Sequence, residues 1–218
     1  MMLAFLPIAW VVARALGRRM GSAYALEWSG GRALWLLAGF ALAIVVKGIA
    51  VLIGLRMGIY SPGLPATAAL GIASTAGTLA WLALSTFVPS LAEDILTRGF
   101  WARIPGWRWR GLGFVLFSSL VYVFNHIYRL GNGPAEWLML LCFGLAYAAA
   151  FWRTGTLWAA VGLHWGWNFA GPALDLGWPT ELVNPDGQRL LSAGANLLML
   201  AIVLLFWRRV APMAGANE

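Results

Sequence analysis

Charge is what this chain has least of. Only 11% of its 218 residues are Asp, Glu, Lys or Arg, where a soluble domain of that length carries about a quarter. Cysteine occurs once, as Cys142 within an apolar run, which excludes a disulfide framework and a thiolate metal cluster. Basic residues outnumber acidic ones 15 to 8, and all but one of the basic residues are Arg. No basic run is interleaved with polar or aromatic residues in the manner of a nucleic-acid-binding face, so nucleic acid is not an expected partner. Internal repeats are absent, as is any linker long enough to divide two domains. A single transmembrane domain over residues 1–218 is expected.

What is abundant is grease: 61% of residues are hydrophobic, with 14 Trp and 26 Gly among the total. Apolar runs long enough to approach a bilayer crossing, at about 20 residues per span, lie near 33–55, 70–104, 112–128, 135–152, 156–171 and 189–207. The expected fold class is therefore all-α, a polytopic integral membrane helix bundle of six to seven transmembrane helices. Pro89 interrupts the over-long 70–104 run and is expected to kink or restart it. An N-terminal run at about 2–17 is short, carries Arg14 and lacks a basic leader, which reads as an anchor or interfacial helix rather than a signal peptide. The stretches "YSPGLP", "LGNGP" and "GPALDLGWP" read as connectors. Arg18, Arg19, Arg32, Arg103, Arg108, Arg110, Arg153, Arg208 and Arg209 mark alternate ends of the runs, whereas 172–188 holds Asp175, Glu181 and Asp186 with no Lys or Arg. The positive-inside rule then puts the Arg-rich ends and the C-terminus in the cytoplasm.

Against this background "LAEDILTRGF" (91–100) stands out, with Glu93, Asp94 and Arg98 inside one apolar run. At about 1.5 Å per residue, Glu93 comes roughly 18 Å into the membrane, His126 roughly 21 Å, His164 roughly 12 Å and Asn168 roughly 18 Å. Both histidines of the chain fall in this layer. A charge at such depth costs about 2.5–3.5 kcal/mol on the insertion scale, so its default reading is functional rather than polar glue between helices. Asp94 and Arg98 stand at i, i+4 with the acid first, the favoured ion-pair orientation. Glu93 is turned about 100° from Asp94 and is left for another helix. Ser118, Tyr122 and His126 share one stripe, His164 and Asn168 another, and Gly162 and Gly166 permit a close helix approach.

These residue types suit water-mediated hydrolysis. A buried carboxylate with a histidine can activate water, and a second His with an amide can donate to an oxyanion. Glu93 with His126 supplies the first pair, and His164 with Asn168 the second. Glu93, His126 and His164 are also a possible zinc set, and without an H-E-x-x-H motif the spacing is compatible with metal and metal-free chemistry alike. A proton- or ion-coupled carrier would use the same layer as a relay, and a non-catalytic membrane immunity or partner protein would keep only the fold.

In that order, "EDILTRGF", "YVFNH" and "GLHWGWNF" resemble the three motifs of the CPBP intramembrane proteases, which group the CAAX prenyl endopeptidases with bacteriocin-processing and immunity (Abi) proteins. The family pattern runs E-E-x-x-x-R-G, F-x-x-x-H, H-x-x-x-N, and the likeness covers about 87–170. It implies an intramembrane endopeptidase in which Glu93 and His126 activate water, His164 and Asn168 stabilise the oxyanion, and Asp94 and Arg98 organise the site. The chain departs from the pattern at Asp94, where Glu is usual, and at Tyr122, where Phe is usual. The expected partners are the lipid bilayer and a peptide or protein substrate in or at the membrane, lipidated substrates included. The expected location is the cell (inner) membrane of a bacterium. Members are often labelled metalloproteases, but the resemblance leaves zinc open for this chain.

Overall fold

Long apolar runs without water to serve their backbone must close their hydrogen bonds internally, and here they do so as helices. The computed structural model describes residues 2–63, 72–104 and 111–207. In chain order these form α1 (Met2–Ala15), α2 (Met20–Tyr24), α3 (Gly30–Arg56), β1 (Tyr60–Pro62) and α4 (Ile72–Asp94). A π-helical turn (Ile95–Gly99) leads into α5 (Phe100–Arg103), then α6 (Gly111–Asn125) and a 3₁₀ segment (Ile127–Asn132). The chain continues with α7 (Pro134–Thr154), α8 (Leu157–Gly177), β2 (Thr180–Leu182) and α9 (Pro185–Phe206). Arg108, Arg110, Arg208, Arg209, the C-terminus and the end of the "YSPGLP" connector lie outside the described residues.

Four stretches among the described residues are long and apolar enough to cross a bilayer: Gly30–Arg56, Ser74–Arg103, Pro134–Thr154 and Pro185–Phe206. The molecule thus has the helices of an integral membrane protein. α8 is as long as α7 but carries His164, Asn168 and Asp175 and is mostly buried. α1 and α6 are shorter; at 15 residues α6 extends about 22 Å. Where Leu34, Leu37, Val45 and Leu52 of α3 and Leu204 and Leu205 of α9 are exposed, their surface matches hydrocarbon rather than water.

The helices differ from the sequence expectations at three places. α4 does not restart at Pro89 but runs through it to Asp94. α8 likewise continues through Pro172 to Gly177, so most of "GPALDLGWP" is helix and only its end is connector. A proline removes one backbone bond, and packed membrane helices tolerate that loss. The third difference is a small antiparallel ribbon, β1 with β2, in register Tyr60 with Leu182 and Pro62 with Thr180. Three residues per strand are too few for alternation to announce them.

The ribbon ties the outgoing end of α3 to that of α8, with Val183 N donating to Ile59 O at 3.0 Å. The opposite end is sewn by other bonds. Arg18 donates to Arg103 O (2.8 Å), Leu157 N to Ala25 O (3.0 Å) and Trp158 Nε1 to Leu26 O (3.2 Å), and Arg153 donates to Leu204 O. The described arginines at 18, 19, 32, 103 and 153 therefore gather at one end of the bundle. α1 is held against that assembly, with Tyr24 Oη donating to Ala9 O at 2.7 Å.

α8 is the axle, packed by α3, α4 and α7. Its crossing with α3 is backbone-close: a methyl at Gly39 would lie 2.8 Å from Leu163 N, and one at Gly166 would lie 2.9 Å from Ala43 Cβ. Gly162 and Gly166 thus serve α3, which carries none of the motif residues, rather than widening a polar site. Gly166→Leu is expected to push α3 off α8 and lower stability by about 1–3 kcal/mol, the usual cost of overpacking. Gly113→Ala, with nothing within 4 Å of the added methyl, is the matched control. Thermal unfolding in detergent reads both.

Candidate active site

The site begins where α4 ends. Glu93 and Asp94 are its last two residues, and the helix then widens into the π turn, with Phe100 N bonding back to Ile95 O. Such single turns are common at functional sites because they change which side chains share a face. Sequence spacing assumed an uninterrupted α-helix here. The ion pair survives the difference: Arg98 Nη1 bonds Asp94 Oδ1 and also Thr97 Oγ1 at 2.8 Å. Thr97 donates in turn to Glu93 O (2.7 Å), and Ser118 of α6 donates to Thr97 O (2.9 Å). Asp94 and Arg98 are both 0% exposed. No acceptor meets Arg98 Nε or Nη2; instead its guanidinium carbon lies 5.1 Å and 5.3 Å from the ring centres of Tyr122 and Tyr147, a cation–π sandwich.

His126 follows the last residue of α6 rather than lying midway along a span. Its Nδ1 is 2.9 Å from Tyr122 O. A carbonyl only accepts, so Nδ1 carries the hydrogen and a neutral ring keeps a bare lone pair on Nε2. That Nε2 lies 3.7 Å from Glu93 Oε2, and His164 Nε2, on α8, lies 3.7 Å from the same oxygen. The other nitrogen of His164 is 3.4 Å from Asp94 Oδ1. α4, the end of α6 and α8 thus bring one carboxylate and both imidazoles of the chain together, all buried. A gap of 3.7 Å exceeds a direct hydrogen bond yet admits a water at about 2.8 Å from each side.

Asn168, one turn beyond His164, turns its amide to α4, where Nδ2 donates to Ser90 Oγ at 3.1 Å. Ser90 donates in turn to Thr86 O, so this hydroxyl fixes the amide and leaves its second N–H for a ligand. Tyr122 packs 4.7 Å from the His126 ring and 5.9 Å from that of His164. All seven residues singled out by sequence, Glu93, Asp94, Arg98, Tyr122, His126, His164 and Asn168, therefore line one region. Among the described residues no three His, Cys, Asp or Glu side chains form a set able to hold a metal ion. The donors found here do not fit zinc.

Sequence reasoning missed three participants. Tyr147 of α7 stacks on His164, ring centres 4.9 Å apart; inside "LAYAAAF" nothing distinguishes it from core. Ser90 could have been found, as the polar residue one turn before Glu93. Glu136, buried at the start of α7, pairs with Arg129 (2.5 Å) and Arg189 (2.8 Å), and Arg189 also holds Asp186 at 2.7 Å. This cluster carries no motif and its members lie far apart in the chain.

Residues 74–170 match the model of a family described as type II CAAX prenyl endopeptidase Rce1-like. The matched segment contains all seven residues above and bears out the resemblance carried by the three motifs. No curated protein and no solved structure matches the chain.

Removing one partner of a buried ion pair strands the other charge, at about 3–5 kcal/mol. Asp94→Ala and Arg98→Ala are each expected to lower the yield of folded protein and its melting temperature. The double variant should cost clearly less than the sum of the two. Size-exclusion recovery and thermal scans in detergent measure all three; normal yield with lost chemistry would move the pair into the mechanism.

Proposed function

We propose that this protein is an intramembrane endopeptidase that hydrolyses a peptide bond of a membrane-associated or lipidated substrate. The observation that carries the reading is the approach of both Nε2 atoms to one oxygen of Glu93 at 3.7 Å. The family match over 74–170 supports the same reaction class. The reading includes six to seven spans, a cytoplasmic C-terminus and a bacterial cell (inner) membrane, which the clustering of arginines at one end supports.

Water seated between Glu93 and His126 loses its proton to the carboxylate as it attacks the scissile carbonyl. The Tyr122 carbonyl holds His126 in the tautomer whose bare Nε2 faces that water. His164 lies between Glu93 and Asp94, so hydrogens on both of its nitrogens are balanced by negative charge on both sides. Its Nε2–H and the free N–H of Asn168 then donate to the oxyanion, groups fixed beforehand by Asp94 and Ser90. Glu93 passes the proton to the departing amine. Stacking by Tyr147 and packing by Tyr122 keep the rings in place and exclude bulk water.

Glu93→Gln is expected to abolish peptide cleavage, by about 10²–10⁴-fold or more, without loss of folded protein. Asn168→Ala should lower kcat about 10²–10³-fold. Cleavage of a peptide library by purified protein, with and without chelator, checks these roles. Full activity of Glu93→Gln rejects the assigned base, and loss of wild-type cleavage on chelation rejects the metal-free route.

A further inference from the structure

Lys47 is the only lysine of the chain and sits well inside α3, one of the four bilayer-length helices. An ammonium there needs an anion or a reason to do without one. Among the described residues it has no ion pair and no hydrogen bond. Asp175, the acid whose charge is felt at Lys47, is beyond ion-pair distance and is engaged by Thr180, whose N and Oγ1 both lie 3.2 Å from Asp175 Oδ1. The Lys47 ammonium lies instead 4.4 Å from the ring centre of Trp167. Its Cε is 3.7 Å from where a methyl on Gly171 would be.

That position is tied to the catalytic region. Gly171 lies on α8 two turns beyond His164, within about 20° of the same face, and Asn168 lies between them on that face. A continuous aromatic wall runs the same way. Tyr147 stacks on His164 at 4.9 Å, Phe143 follows at 6.0 Å from Tyr147, Trp167 at 5.3 Å from Phe143, and Lys47 closes the row over Trp167. The axial distance from His164 to Gly171 is about 10 Å. An extended peptide covers that distance in about three residues.

We propose that Lys47 is a carboxylate-binding residue that holds the free C-terminus of a peptide substrate about three residues beyond the scissile bond, with apolar side chains of the intervening segment against the Tyr147–Phe143–Trp167 wall. The proposal rests on the peptidase reading above and deepens it. Lys47 lies outside the matched segment 74–170, so no comparison assigns it a role. Distance from the chain end, rather than sequence alone, then selects the bond that is cut.

The test uses the full-length protein in liposomes and one cleavable apolar peptide made in three forms: free acid, C-terminal amide, and extended by two residues. The wild type should prefer the acid by about 10- to 100-fold in kcat/KM, the range for a hydrogen bond to a charged group, with the difference in KM. Lys47→Met should bring cleavage of the acid down to the level of the amide, and Lys47→Arg should restore much of the preference. Equal cleavage of acid and amide by the wild type overturns the proposal, as does a Lys47→Met variant that loses both equally. A preference that follows vesicle composition, phosphatidylglycerol against phosphatidylcholine, instead of the peptide terminus assigns Lys47 to lipid phosphate and also overturns it. The Glu93→Gln variant separates the two readings through binding, measured with a fluorescent acid and amide. Acid-selective binding that Lys47→Met removes supports the carboxylate site even where no cleavage is found, and binding without such selectivity refutes it.

Discussion

The pair between Asp94 and Arg98 is the constraint on which the interior depends. Neither charge has access to water, and a lone charge at that depth costs about 2.5–3.5 kcal/mol even on the mildest scale. The pair alone does not use up the groups it brings in. Arg98 has more N–H donors than Asp94 can accept, so Thr97 takes one and the faces of Tyr122 and Tyr147 take the charge. Asp94 has a second commitment, the Nδ1 edge of His164 at 3.4 Å. The structural pair and the reactive groups are therefore one network. Asp94 is the member common to both, and this explains why a shorter acid than the usual Glu suffices: it is the next residue to Glu93 and already lies against α8.

Much of this was legible because hydrocarbon makes polar residues conspicuous. Glu93, His126, His164 and Asn168 stand out in apolar runs, and counting along each run brought them to one layer without any knowledge of packing. The helices themselves followed from run length. What the runs did not reveal were features decided by neighbours. Pro172 reads as a stop, yet α8 passes through it because the helix is packed by α3, α4 and α7. Residue spacing in "EDILTRG" fits α and π turns equally, since i and i+4 are adjacent in both. Tyr147 has the composition of core, and only its stacking on His164 gives it another role. Gly162 and Gly166 bracket His164 in sequence but lie on the opposite side of α8, against α3, so proximity along the chain misassigned them.

His126 raises a separate problem, because it lies at a helix end. Its neighbours along the chain form a 3₁₀ segment, which has few internal bonds with which to hold a ring in register. The second charged cluster answers it. Arg129, three residues past His126, bonds Glu136 at the start of α7, and Glu136 bonds Arg189 of α9. Trp137 Nε1 adds a bond to Leu130 O at 2.7 Å. The segment after His126 is thereby fastened to two bilayer-length helices, and the ring is fastened from before by Tyr122 O.

Two buried acids thus divide the labour of placing two imidazoles. Asp94 acts on His164 from within the same layer, by charge and at short range. Glu136 acts on His126 from the opposite end of α7 to the Arg153 turn, through the backbone it immobilises. Glu93, the third buried acid, plays neither part. Among the described residues no arginine is bonded to it, and its side chain faces the two rings. A carboxylate kept in apolar surroundings without a cation is held at a cost that packing does not offset. Its retention between two histidines is intelligible as the poised acceptor of a proton, and this contrast with Asp94 and Glu136 separates the reactive acid from the two that support it.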